Sequence, residues 1–221
     1  FWSTGPNPAE YVKLLKASAQ AVREADPAAK VVFGGLSTND WEYLSKAYEA
    51  GARGTFDVLA THPYTYCGSS DPEEIRRTSG GRITRDSFFG YRELRRVMRE
   101  NGDEKPIWFT EFGWTTTSKD CNPGAGQWQG GVTEQQQARL LTKAYELIEQ
   151  DPYVEVAIWY NLRNNYWSND ADDPEARFGL LRTDYSPKPA FHAFAAYAHG
   201  EPAPRFEAPR STRTSLRVGG P

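Results

Sequence analysis

Apolar positions along the chain alternate between a helical and a strand-like rhythm. Asn7-Pro8 places a capping side chain and then a proline where a helix begins. Tyr11, Leu14, Leu15, Ser18, Val22 and Ala25 recur at helical spacing, and Asp26-Pro27 ends the segment. Val31-Val32-Phe33 follows, a short unalternated apolar run closed by Gly34-Gly35, the pattern of a strand buried on both faces. The same succession repeats three times. Asp40 caps a helix carrying Leu44, Ala47 and Tyr48, which Gly51 ends, and Phe56 to Thr61 is the second strand. Phe88 to Glu100 holds a helix with Leu94, Val97 and Met98, and Ile107 to Thr110 is the third strand. Thr133 and Gln136 form a capping box before Leu140, Leu141, Ala144, Leu147 and Ile148. Val154 to Tyr160 is the fourth strand, and Ala190 to Ala198 a closing helix.

One helix followed by four strand-helix units predicts an α/β fold with a parallel sheet and right-handed crossovers. Doubly wound sheets and (β/α)8 barrels share that pattern, and periodicity does not separate them. From Glu201 onward the chain is rich in Pro, Arg, Ser and Thr, so residues 200–221 read as a tail or linker.

Charge narrows the partners. A formal net charge of −3 and a pI near 5.7 give no basic face for nucleic acid or an anionic membrane surface. The apolar runs are strand-sized, too short for a membrane-spanning helix. Seven Trp and twelve Tyr exceed what a core of this size needs, and flat amphipathic rings suit a sugar-binding groove. Cys67 and Cys121 fall in loops on one face, open to a single bridge or to two free thiols; a bridge would imply an oxidising compartment.

In either architecture, reactive groups gather at the carboxyl ends of the strands. Those ends read Gly34-Gly35-Leu36-Ser37, Thr61-His62-Pro63-Tyr64, Thr110-Glu111-Phe112-Gly113-Trp114 and Trp159-Tyr160-Asn161. Glu111 leaves a hydrophobic strand at the mouth of the fold, placed as a nucleophile or general base, or else as a helix cap or an Arg partner.

The segment Pro106 to Trp114 resembles the seventh strand of the clan of retaining (β/α)8 glycoside hydrolases that includes cellulases, β-mannanases and β-xylosidases. His62-Pro63-Tyr64 resembles the end of their sixth strand and Trp159-Tyr160-Asn161 that of their eighth. Phe178 to Leu181 and Tyr185 to Phe191 are similar to their return into the last helix. The resemblance covers residues 1–199 and implies half a TIM barrel, strands five to eight with their helices. It implies Glu111 as catalytic nucleophile, His62 and Tyr64 as residues orienting it, and Trp159 as a platform under the reacting sugar. Asn161, Trp114 and Trp167 join them as substrate contacts, and Trp128 is a further loop aromatic. On the residues alone, His62 is equally a structural hydrogen-bonder, Trp159 equally barrel core, and the loop tryptophans equally packing. The implied substrate is a β-linked glycan, with no metal or organic cofactor, in a secreted setting.

Retaining hydrolysis needs a second carboxyl about 5 Å from the first. The clan takes it from an Asn-Glu-Pro sequence that this chain lacks. The chain opens on Phe1-Trp2, which resembles the stretch just after that motif, so the acid/base is expected upstream of Phe1. Asp57, Glu134 and the Asp170, Asp172, Asp173 cluster offer no substitute by position. Four strands would leave open sheet edges, predicting either a missing N-terminal half-barrel as partner or self-association. The expectation is a hydrolase half that is inactive alone; the rival reading is a non-catalytic carbohydrate-binding or scaffolding half-barrel. An unrelated doubly wound enzyme would want a Gly-x-Gly-x-x-Gly turn, and none is present.

Overall fold

The computed structural model describes residues 5–65, 71–118, 130–165, 173–202 and 204. Helix α1 (Pro8–Ala25) is followed by β1 (Val32–Ser37), α2 (Trp41–Glu49), β2 (Val58–His62), α3 (Tyr91–Glu100), β3 (Ile107–Phe112), α4 (Glu134–Ile148), β4 (Val154–Trp159) and α5 (Pro189–Ala198). The strands form one parallel sheet in the order β1-β2-β3-β4. Four parallel strands, each followed by a helix on the same side, make a partial (β/α)8 barrel rather than a doubly wound sheet.

Local chemistry sets the helix starts. The Asn7 side chain accepts from the Ala9 and Glu10 amides, and Asp40 accepts from Tyr43. Thr133 and Gln136 complete their reciprocal box at the head of α4. The buried stripe of α1 differs from the expected one: Val12, Leu15 and Ala19 face the sheet, while Leu14 and Val22 are exposed. Tyr11 still joins helix to strand, since its hydroxyl accepts from the Gly34 amide at 2.6 Å.

One face of the sheet is finished. Phe33, Phe109 and Phe112 lie under the helices with Phe56, Phe88 and Tyr91, all buried. Their rings meet edge-on or tilted, as in Phe33–Phe56 at 5.2 Å and Tyr91–Phe109 at 4.8 Å. Burying each such ring contributes about 1.5–3 kcal/mol. The other face is open at the outer strands, which corrects the expectation that the first strand is buried on both sides, whereas β2 is buried from Val58 to Thr61. Gly34, Gly35 and Ser37 of β1 and Glu155 and Ile158 of β4 are exposed. In a closed barrel this face would be covered by the opposite strands.

The expected strand ends move as well. β1 runs through both glycines to Ser37: its register against β2 shifts at the glycines, between Phe33 and Leu36, and pairing resumes at Leu36 and Ser37. β3 continues past Thr110 to Phe112.

Candidate active site

Glu111 owes its position to an irregularity in β3. Ile107 and Phe109 point to the helices two residues apart, but the next outward residue is Phe112, three further on. The register against β4 shifts between Phe109 and Phe112. The extra residue leaves Thr110 and Glu111, neighbours in sequence, both half-buried near the carboxyl end of the sheet.

Two side chains from the end of β2 meet the carboxylate. The Tyr64 hydroxyl donates to Glu111 Oε2 at 3.1 Å. Burial first, and then the Glu111 charge, push the phenol's pKa upward, so it stays a donor. His62 Nδ1 stands 3.6 Å from the same oxygen, beyond hydrogen-bonding distance. Its other nitrogen, Nε2, is 3.0 Å from Thr110 Oγ1. Burial lowers the imidazole's pKa and outweighs the upward pull of Glu111, so the ring is neutral at neutral pH. The two are a polar contact rather than an ion pair. Space for the ring comes from β1: a Cβ on Gly35 would lie 2.3 Å from His62 Nε2.

Of the residues singled out in the sequence, Glu111, His62 and Tyr64 come together. Trp159 and Trp114 take the core alternative. Trp159 is 7% exposed, packs on Phe112 at 5.5 Å and donates from Nε1 to the Phe178 carbonyl. Trp114 is 1% exposed, held between Phe88 and Trp159. Asn161 is half-buried, reached by a cis peptide from Tyr160; its amide donates to Asn165 Oδ1 at 3.3 Å. Its own Oδ1 has no partner among the described residues. Trp167, Trp128, Cys67 and Cys121 lie outside the described residues.

Of the carboxylates set aside by position, Asp170 and Asp172 lie outside the described residues and the other three are occupied elsewhere. Asp57 pairs with Arg23 and accepts from the Val31 amide. Glu134 holds Arg182 through both oxygens. Asp173 caps a short 3-10 turn, Pro174–Ala176, by accepting from the Glu175 amide.

That turn carries the residue sequence reasoning missed. Burial raises the pKa of Glu175, and the nearby charges of Asp173 and Glu111 raise it further. The residue as a whole is nonetheless exposed on its turn. Tyr160, half-buried with its ring 5.6 Å from Phe178, was also passed over in favour of Trp159. Phe178 in turn packs on Tyr64 at 5.7 Å, so Tyr64, Phe178 and Tyr160 form a chain of rings leading from Glu111.

The surroundings are open. Cavities of about 380 Å³, between α1 and the β1–β2 region, and about 470 Å³, beside Arg177 and Arg182, both lie away from Glu111. Among the described residues no group of three or more His, Cys, Asp or Glu side chains is arranged to hold a metal, and no helix is long and apolar enough to cross a membrane.

No family model matches the sequence, and no curated protein does. Solved structures do match the fold. An enzyme of glycoside hydrolase family 39 from Xanthomonas axonopodis pv. citri aligns with a TM-score of 0.59 at 18% identity, over 90% of this chain and 38% of that one. A β-glucuronidase from Bifidobacterium dentium, solved with coumarin-3-O-glucuronide, gives 0.57 at 19% identity, over 92% and 29%. A glycoside hydrolase family 17 β-1,3-glucanosyltransferase from Rhizomucor miehei gives 0.53 at 14% identity, over 84% and 57%. The chain thus spans from about a third to little more than half of these proteins. Its fold, a partial (β/α)8 barrel, is thus similar to part of each of these proteins.

Proposed function

We propose that this chain carries the nucleophile half of a retaining β-glycosidase. The observation that supports it is the Glu111 carboxylate at a strand end, gripped by the Tyr64 hydroxyl and flanked by a neutral His62. Nucleophilic attack by a carboxylate needs an oriented, ionised oxygen on an accessible face. Tyr64 holds Oε2, and the uncharged His62 leaves the carboxylate's charge uncancelled. Proton donation to the leaving oxygen falls to a second carboxyl, and Asn-Glu-Pro, the clan's source of it, is absent from the sequence. A complementing half-barrel laid on the open sheet face is the partner that would bring it. The substrate is a β-linked glycan.

A glycosyl fluoride separates the two half-reactions, because fluoride leaves without being protonated. Glu111 attacks the anomeric carbon, the C–F bond breaks, and an ester forms that a second fluorine beside the anomeric centre makes long-lived. Incubation with such β-glucosyl, β-mannosyl and β-xylosyl reagents should add one sugar mass at Glu111, seen by intact-mass and peptide spectrometry. Glu111→Gln should abolish it. An alkyl β-glycoside should not turn over. Labelling at another residue, or undiminished labelling of the variant, overturns the assignment; sugar binding without labelling favours the non-catalytic binding protein.

A further inference from the structure

We propose that Thr110 is a positioning residue for this site: its hydroxyl donates to His62 Nε2, fixes the imidazole proton on Nδ1, and so presents a donor to Glu111 Oε2. The inference rests on the reading of Glu111 above and deepens it, by naming what sets the ring beside the nucleophile.

The irregularity in β3 makes the arrangement possible. Successive side chains of a regular strand leave on opposite faces, so neighbours in sequence do not ordinarily reach one ring. The register shift between Phe109 and Phe112 leaves Thr110 and Glu111 both half-buried at the carboxyl end of the sheet. His62, the last residue of β2, meets the two of them. Thr110 Oγ1 lies 3.0 Å from Nε2, and Glu111 Oε2 lies 3.6 Å from Nδ1. Each ring nitrogen thus faces one of two consecutive residues. β1 crowds the Nε2 side as well, since Gly35 leaves no room there even for a Cβ.

Counting hydrogens selects the tautomer. A neutral imidazole has one N–H and one bare nitrogen, a threonine hydroxyl can donate or accept, and an ionised carboxylate only accepts. With the proton on Nδ1, the ring offers a hydrogen to Oε2 while Nε2 takes one from Thr110, so every group meets its complement. With the proton on Nε2, a lone pair would confront the carboxylate oxygen. The Thr110 hydroxyl hydrogen would then have no acceptor among the described residues. Tyr64 already donates to the same Oε2 at 3.1 Å, so the tautomer decides whether that oxygen faces two donors or one. At 3.6 Å the imidazole acts by the direction of its dipole and not by a formed bond. A hydrogen bond of ordinary strength moves such an equilibrium by roughly two- to tenfold.

The test reads the tautomer itself. In the full chain enriched in the heavy nitrogen isotope, two-bond nitrogen–proton spectra above neutral pH tell a protonated ring nitrogen from a bare one. The chain has three histidines, and the spectrum of His62→Gln shows which signals belong to His62. The native ring should carry its proton on Nδ1. Thr110→Val keeps the branched shape and removes the hydroxyl. It should shift the tautomer ratio toward Nε2 by roughly two- to tenfold and slow glycosyl labelling by a similar factor, with the unfolding midpoint hardly moved. Thr110→Ser returns the hydroxyl and should recover both. A native ring protonated on Nε2 overturns the proposal. So does a Thr110→Val protein whose ratio is unchanged, or one whose ratio shifts while labelling stays as fast as native. The spectra need no sugar: failure of every reagent to label overturns the nucleophilic role of Glu111, while the tautomer is still decided by its own measurement.

Discussion

The two faces of β3 are one strand under two sets of demands. Toward the helices stand Ile107, Phe109 and Phe112, each 0% exposed, and toward the open side stand Trp108, Thr110 and Glu111, each half-buried. The first set is packed by α3 and α4 and its neighbouring rings. The second meets polar side chains from β2, β4 and water. Outward positions therefore build the core and inward ones the candidate site, with only the irregularity before Phe112 between them.

That division can be broken at its strongest point. Phe109→Ala should cost about 3–5 kcal/mol of unfolding free energy in urea, by leaving a cavity among Phe88, Tyr91 and Phe112. Thr110→Ala, one residue away, should cost no more than about 1 kcal/mol. Similar losses would show that the open face stabilises the fold as much as the packed one does.

A subtler case sits where the faces meet. Lys188 is wholly buried at the head of α5, and its amine donates to Thr116 Oγ1 and to the Arg177 carbonyl, both at 3.0 Å. Burial lowers its pKa to about 7, Glu134 opposes the shift, and Arg182 and Arg177 add to it. The unfolded chain keeps a lysine near its ordinary 10.5, so between about pH 7 and 10.5 the unfolded state binds more protons. Stability should accordingly rise with pH across that window, by about 2 kcal/mol between neutrality and two units above it. Below about pH 7 both states are protonated and the contribution is flat. Urea unfolding of native protein and Lys188→Met at both ends of the window should show the slope in the first and its loss in the second. Parallel curves would mean the amine is solvated after all.

The smallest effect is the most selective. Tyr64→Phe removes the hydroxyl that holds Glu111 and should slow glycosyl labelling about tenfold by loosening the attacking oxygen. The unfolding midpoint should hardly move. A stability loss as large as that of Phe109→Ala would place Tyr64 with the packed face.

Much of this was readable in the residues, unevenly. Strand-helix order, the caps at Asn7, Asp40 and Thr133, and the meeting of Glu111 with His62 and Tyr64 follow from local signals that packing did not override. For Trp114 and Trp159 the sequence left two readings, because a ring near a strand end suits a sugar or a core; the structure packs them on Phe88 and Phe112. The stripe of α1 slipped from Leu14 to Val12 because both fit a helical period and only the crossing of the sheet chooses between them. Glu175 left no trace: it lies in an aperiodic stretch, on a three-residue turn held by long-range contacts.

Gly35 lends the site an absence. The imidazole of His62 occupies the space a side chain at 35 would fill, so β1 shapes the candidate site by what it leaves out. Any larger residue there is a wedge driven under the histidine from the neighbouring strand. The candidate site is thus written partly in a position with no functional group. A survey of reactive residues alone would pass over it, and a designer wanting a quiet copy of this fold could begin there.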